Sequence, residues 1–353
     1  MLNELLKSRT VPTLPSVSSA AEWEALRPEM LKSLQDNIYG RMPAAVPVTA
    51  EVTESDDTFL ANRAIYEKVT LSFVYGEKDY SFPVQIIQPK LRRNVPYFVT
   101  LSFREPVFDR YLPAEEIISR GFGIAIVHYK SVAGDDNDFE AGLGPMAGDR
   151  TAPDAPGKIA LWAYAASRTA DYLLTRPECD AKNLIVIGHS RLGKTALVCG
   201  AHDERFAFVI SNDSGCSGAA MTRGKCGESL ARITSVFPYW FAPRYAEYAG
   251  RERELPLDQH WLLALTAPRH LLVGSAVEDT WADPASEFLS CRAASPAWAL
   301  YGLPGLRSFD RLPVPGEKYH DGYIGYHLRP GAHFMARTDW CRYMDYIAAN
   351  KNK

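Results

Sequence analysis

Cysteine is scarce in this chain, with six in 353 residues, at positions 179, 199, 216, 226, 291 and 341. No two of them form a Cys-x-x-Cys pair, so zinc ribbons and thioredoxin-like dithiol sites are excluded. An even count permits disulfides, but a chain this long buries a sizeable core without crosslinks, and free, buried cysteine is the expected state. An excess of one charge is also missing. Lys and Arg number 39 against 42 Asp and Glu, a net charge of −3. No general attraction to nucleic acid or to an anionic membrane is expected. Long apolar runs are absent too, since no stretch approaches the ~20 residues of a membrane-spanning helix. The opening Met1-Leu2-Asn3-Glu4-Leu5-Leu6-Lys7 has no basic segment followed by an apolar one, so it is not a signal peptide. The expectation is a cytoplasmic protein or the mature form of a secreted one. No internal repeat and no linker divides the chain. A single α/β domain is expected over 1–353, with 1–45 as an N-terminal extension and helix packed on it.

What is present is an alternation of strand and helix signals. Residues 1–20 carry Pro12, Pro15 and several Ser and Thr, and read as an extended lead-in. Trp23, Leu26, Met30, Leu31, Leu34 and Ile38 recur at three- and four-residue steps. They predict a helix from Ala20 to Tyr39, capped by Ser19 and ended by Gly40 and Pro43. Residues 48–90 alternate as strands, with a hairpin turn beginning at Gly76. Buried strands are predicted at 97–103, before a loop at Arg104-Glu105-Pro106, and at 123–129. A short helix around Ile117 and Ile118 lies between them. Residues 131–158 read as a long loop, and Ile159 to Leu174 as a helix. Strands follow at 206–211 and 270–275, and a helix at 284–294. Residues 302–333 look loop-rich, before a final helix over 338–349. This order predicts a mostly parallel sheet covered by helices on both faces, with an antiparallel N-terminal hairpin. That is an α/β-hydrolase arrangement.

The chain is organised around Leu184-Ile185-Val186-Ile187-Gly188-His189-Ser190-Arg191-Leu192-Gly193-Lys194-Thr195. An apolar strand runs into a Gly-x-Ser turn, and an apolar helix follows. This is the order of a nucleophile elbow, in which a strained turn presents a serine hydroxyl. The second glycine of the usual Gly-x-Ser-x-Gly pattern comes one residue late, at Gly193. The same residues satisfy a phosphate-loop spacing, from Gly188 to Gly193-Lys194-Thr195. That reading stays open, although the position past the middle of the chain favours the elbow.

In such a fold an acid and then a histidine follow the serine. Of eight histidines, His320, His327 and His333 lie late enough. Gly331-Ala332-His333, just before the final helix, is favoured. Two acids follow strand ends, Asp213 after 206–211 and Asp279 after 270–275. The acid orients the imidazole and stabilises its cation, and either could do so.

With these residues in place, Gly188-His189-Ser190-Arg191-Leu192-Gly193-Lys194 resembles the Gly-x-Ser-Arg-x-Gly-Lys signature of the glucuronoyl esterases of carbohydrate esterase family 15. Further segments are similar to bacterial members: Asn212 to Gly218, Gly227-Glu228, Phe237 to Phe241, Asp258 to His260, Ala267 to Arg269, Asp279 to Pro284 and Gly331 to His333. The resemblance implies Ser190 as nucleophile, His333 as base and Arg191 facing the oxyanion. It also implies Lys194 on sugar hydroxyls, and Glu228 and Trp281 along a uronate pocket. Many members carry Glu where this chain has Asp213, which favours Asp279 as the acid. Without the resemblance, Lys194 reads as a capping or salt-bridged residue, Glu228 as surface and Trp281 as core. The implied reaction is hydrolysis of a glucuronate ester with neither metal nor cofactor, acting on a carbohydrate ester. An acetyl esterase with the same residues and a non-catalytic carbohydrate-binding relative are the alternatives.

Overall fold

The computed structural model describes residues 1–104 and 112–351. Ten strands form one sheet: β1 (Thr49–Asp56), β2 (Ala64–Tyr75), β3 (Lys78–Pro89), β4 (Tyr97–Ser102), β5 (Gly123–His128), β6 (Leu184–His189), β7 (Phe206–Asn212), β8 (His270–Ala276), β9 (Lys318–Tyr319) and β10 (Ile324–Arg329). Their order is β1-β2-β3-β5-β4-β6-β7-β8-β10-β9. From β5 to β10 every neighbouring pair is parallel. The β1-β2-β3 meander joins β5 antiparallel.

The pleat divides the apolar residues of each central strand between two cores. Val99, Ala125, Val186, Val209, Leu271 and Val273 face one side, where the helices Lys158–Leu173, Arg191–His202 and Pro284–Ala294 pack. Phe98, Ile124, Ile185, Ile187, Ile210 and Leu272 face the other, against Ala114–Ser119 and Arg337–Asn350. A strand with both faces covered must be apolar at successive positions, which is why β6 reads as a continuous apolar run. β4 connects to β5 on one side and is flanked by β6 on the other. The carboxyl ends around this reversal are the usual place for a ligand site in an open α/β sheet.

The predicted helix over Ala20–Tyr39 is present as an α-helix to Leu34 and a wider π-helical turn from Gln35 to Tyr39. The Ser19 side chain accepts from the Glu22 N–H at 3.2 Å. Trp23, Met30, Leu34, Ile38 and Tyr39 are buried in the first core. Gly40 ends the segment at φ 84°, and a Cβ there would lie 2.3 Å from the Ala155 carbonyl oxygen.

Two expectations are corrected. The lead-in contains a helix, Leu2–Ser8. Leu2 is buried, and Asp310 accepts hydrogen bonds from the Met1 amine and the Leu2 N–H. The loop-rich segment 302–333 contains β9 and β10, and β10 pairs in parallel with β8 along its whole length. The loop expected at Arg104-Glu105-Pro106 lies outside the described residues from residue 105 onward.

Candidate active site

The segment from β6 into the helix Arg191–His202 leaves a single residue, Ser190, between strand and helix. Ser190 takes φ 57°, ψ −127°, a conformation L residues rarely adopt. Its N–H donates to the Asn212 carbonyl at 2.9 Å, and its own carbonyl accepts from Gly193 and Lys194. Gly188 is required sterically, because a Cβ there would meet the Leu192 carbonyl oxygen at 2.0 Å. A Cβ on Gly193 would lie only 3.0 Å from the Ser214 Cβ, so the late glycine serves the approach of the helix to the 213–218 loop. A phosphate loop needs several residues of free backbone N–H between strand and helix to wrap an anion. One intervening residue cannot do this, and the phosphate-loop reading is set aside.

Four strand ends deliver side chains to one edge of the sheet. Ser190 follows β6, Asp213 follows β7, Asp279 follows β8 and His333 follows β10. His333 Nδ1 and Asp279 Oδ2 are 2.6 Å apart. The His333 ring packs on that of His189, next to Ser190, with centroids 4.4 Å apart. The His333 side chain is 44% exposed and that of Asp279 only 4%, so the imidazole stays accessible while its partner is shielded. Burial opposes the Asp279 charge, but the hydrogen bond and charge of His333 and the Ala282 N–H hold its carboxyl below the ordinary range. His189 is pushed down to about 3, first by burial and then by His333, so it stays uncharged near neutrality.

Asp213 has a different environment. Its Oδ1 accepts from the Ala276 N–H at 2.7 Å, and Oδ2 lies 3.3 Å from Arg329. Burial, and then the charge of Glu287, push its carboxyl well above the ordinary value against the pull of Arg329. One ligand atom from each of Asp213, Asp279 and His333 lies within 4.8 Å of the others, a grouping with metal-ligand character. Asp279 and His333 already bond to each other, and Asp213 to Ala276 and to Arg329, whose guanidinium would repel a cation.

His327 is not available as a base. It lies within β10, fully buried, with Nε2 2.8 Å from Asp339 Oδ1. His320 is half-buried, and burial, then His327, Lys318 and Arg342, hold its pKa low.

Arg191 opens the elbow helix and pairs with the Asp135 carboxylate. Its guanidinium carbon lies 4.7 Å from the Trp240 ring centroid and 5.6 Å from that of Phe237. Those two rings stack at 3.9 Å.

Residues 72–302 match the family profile described as "Glucuronyl esterase, fungi". The chain belongs to the glucuronoyl esterase family. It thereby falls among the carboxylic ester hydrolases. It is 34% identical over 371 residues to the carbohydrate esterase MZ0003 of an unknown prokaryotic organism, covering 94% of this chain and 85% of that one. It is 25% identical over 307 residues to 4-O-methyl-glucuronoyl methylesterase 1 of Wolfiporia cocos, covering 83% and 71%. Among solved structures, the glucuronoyl esterase from Solibacter usitatus superposes with a TM-score of 0.88 at 32% identity, covering 96% of this chain and 97% of that one.

The remaining residues that the glucuronoyl esterase resemblance implied fall into two environments. Lys194 is 4% exposed, and its ammonium donates to the Ser214 carbonyl. Burial lowers its pKa, and Glu228 opposes that. Trp281 is 54% exposed rather than core. Glu228 is half-buried and is tied to Trp281 through its N–H, which donates to the Trp281 carbonyl at 3.0 Å. Gly227 permits this contact, since a Cβ there would lie 2.4 Å from the Thr280 carbonyl oxygen. The neighbouring Lys225 ammonium caps the Glu228 carbonyl at 2.7 Å.

Several residues at the site had no signal in the sequence. Asp135 lies just after the short helix Tyr129–Val132, in a stretch that the sequence showed only as a long loop, where nothing in the spacing marks it. Arg329 donates to the carbonyls of Ala332 and Phe334 on either side of His333, and to Asp339 at 2.8 Å. Glu287 is buried within a helix and accepts from the Gly215 N–H at 2.8 Å and from Ser275. Other family-like segments are scaffold. Asp258 accepts from the N–H groups of Thr222, Arg223 and Gln259, fixing the loop that leads to Glu228.

Proposed function

We propose that this protein hydrolyses the ester formed by the C6 carboxyl of a glucuronic acid on a plant polysaccharide. Ser190 is the nucleophile, His333 the base and Asp279 the acid that orients it. Ser190 Oγ attacks the ester carbonyl while His333 takes its proton. Arg191 then stabilises the tetrahedral oxyanion. His333 returns the proton to the departing alcohol, and water releases the uronate in a second, equivalent step. Asp279 keeps Nδ1 of His333 protonated, leaving Nε2 free to accept a proton.

The observation that carries this reading is the His333–Asp279 bond at 2.6 Å, with the His333 ring packed at a tilt against His189, the residue before the positive-φ Ser190. A buried ionised acid, an accessible imidazole and a strained serine at strand ends along one edge of the sheet suit acyl transfer. The substrate class is supported by the names of the relatives, one a carbohydrate esterase and another a 4-O-methyl-glucuronoyl methylesterase. An esterified carboxyl carries no charge, so recognition must fall on the sugar ring. Lys194 and Glu228 offer polar contacts to the hydroxyls, and the exposed Trp281 offers an apolar face.

Hydrolysis of benzyl glucuronate, compared with that of acetylated xylan, tests the reading. The wild type is expected to favour the uronate ester, and Ser190→Ala to abolish its cleavage while leaving the circular dichroism spectrum unchanged. Cleavage by Ser190→Ala near the wild-type rate would refute the elbow. A preference for acetylated xylan would instead make the protein an acetyl esterase. Binding of the polysaccharide without turnover of either substrate would make it a carbohydrate-binding relative.

A further inference from the structure

We infer that Asp135 is a positioning residue for the reaction, holding the Arg191 guanidinium in place beside Ser190. This rests on the reading that Arg191 meets the oxyanion.

Asp135 comes from the segment between the short helix Tyr129–Val132 and the helix Lys158–Leu173, which reaches the elbow from a different part of the chain. Its side chain is 9% exposed and that of Arg191 27%. The two carboxylate oxygens serve three side-chain donors. Oδ2 accepts from Arg191 Nη1 and, at 3.0 Å, from the Tyr129 hydroxyl. Oδ1 accepts from Trp240 Nε1 at 2.7 Å. The Asp135 backbone carbonyl accepts from the Tyr239 hydroxyl at 2.9 Å. Asp135 therefore fixes the cation and also the indole over which the cation lies.

An arginine side chain is long and loses much rotamer freedom when ordered. A donor that stabilises a developing charge must be ordered before the reaction, or its reorganisation adds to the barrier. Asp135 meets this need while occupying one guanidinium nitrogen. The Arg191 Nε is buried with no hydrogen-bond partner among the described residues. The guanidinium thus keeps unused donor capacity in a site where unpaired donors are unfavourable. An amide in place of the carboxylate has one acceptor oxygen and no charge, so it cannot serve Arg191, Tyr129 and Trp240 together.

The test is a double-mutant cycle on benzyl glucuronate hydrolysis with Asp135→Asn, Arg191→Ala and the pair, accompanied by thermal melts. Asp135→Asn is expected to lower kcat about 10- to 100-fold with KM changed less than about threefold. Arg191→Ala is expected to cost at least as much, and the double variant no more than about twofold beyond Arg191→Ala alone. Asp135→Glu, which retains the charge, is expected to keep more of kcat than Asp135→Asn. A loss from Asp135→Asn that is the same with or without Arg191 would overturn the inference, because Asp135 would then act on the fold alone. So would a damaging Arg191→Ala beside a harmless Asp135→Asn. A harmless Arg191→Ala would instead refute the oxyanion role of Arg191, and this inference with it.

Discussion

Replacing the Asp279 carboxylate by an amide (Asp279→Asn) probes the site at its most constrained bond. Asp279 Oδ2 lies 2.6 Å from His333 Nδ1 and its side chain is 4% exposed, so no water readily substitutes for it. The amide would turn either an N–H or a single uncharged oxygen toward the ring. In the first case Nδ1 must become the acceptor, which places the proton on Nε2, where the base has to be free. The corresponding change in a serine-protease triad costs about 10⁴ in kcat. Here the Asp213 carboxyl reaches within 4.8 Å of His333, so a second group able to hydrogen-bond stays near the ring and a loss of about 10³- to 10⁴-fold is expected. That corresponds to roughly 4–5 kcal/mol of transition-state stabilisation, at ~1.36 kcal/mol per decade. Asp213→Asn should cost less than about tenfold. Its oxygens are already engaged by Ala276 and Arg329, and burial disfavours its charge. The assay is kcat and KM for benzyl glucuronate from pH 5 to 9, with a thermal melt of each variant at pH 7. If Asp213→Asn is the more damaging of the two, Asp213 and not Asp279 orients the base. Two mild single variants and a severe double would show that the carboxylates share the role.

Two further outcomes follow from the same geometry. Lys194→Met keeps the packed stem but removes the ammonium. It is expected to lower kcat/KM on glucuronate esters about 10- to 100-fold, from ~1.5–3 kcal/mol per charged hydrogen bond, and to leave p-nitrophenyl acetate within about threefold. Equal losses on both esters would confine Lys194 to bracing the Ser214 carbonyl. Glu287 is fully buried, and burial raises its pKa from 4.5 to about 7. The folded state therefore holds this proton where the unfolded chain has released it, and stability falls as pH rises from about 4.5 through 7. At ~1.36 kcal/mol per pH unit, this is a destabilisation of about 3 kcal/mol above pH 7. Glu287→Gln should therefore flatten the fall in urea-unfolding free energy between pH 5 and pH 8. An unchanged fall would show that Glu287 titrates normally.

The elbow was legible in the sequence because its determinants are local. Four apolar residues, a Gly-x-Ser turn and an apolar helix suffice to specify strand, strained turn and helix. The final helix could be read for the same reason, since Trp340, Tyr343, Met344 and Ile347 recur on one face and are all buried. The sequence order also narrowed the base to three late histidines. What it left open required partners distant along the chain. β10 was hidden because Ile324-Gly325-Tyr326-His327-Leu328-Arg329 sits among loop residues and becomes a strand only by pairing with β8. That pairing buries His327 and places His333 just past the strand end. The helix Leu2–Ser8 likewise depends on Asp310, more than 300 residues away. The two acids looked alike as residues following strands. Tertiary structure distinguishes them, giving Asp279 a histidine and Asp213 a guanidinium and a backbone N–H. Asp135 shows the limit most clearly: it lies in a loop without periodicity or motif, and only folding brings Arg191, Trp240 and Tyr129 around its carboxylate. Local pattern can specify a strand, a turn or a helix, but the environment of a charge is set by whatever the rest of the chain packs against it.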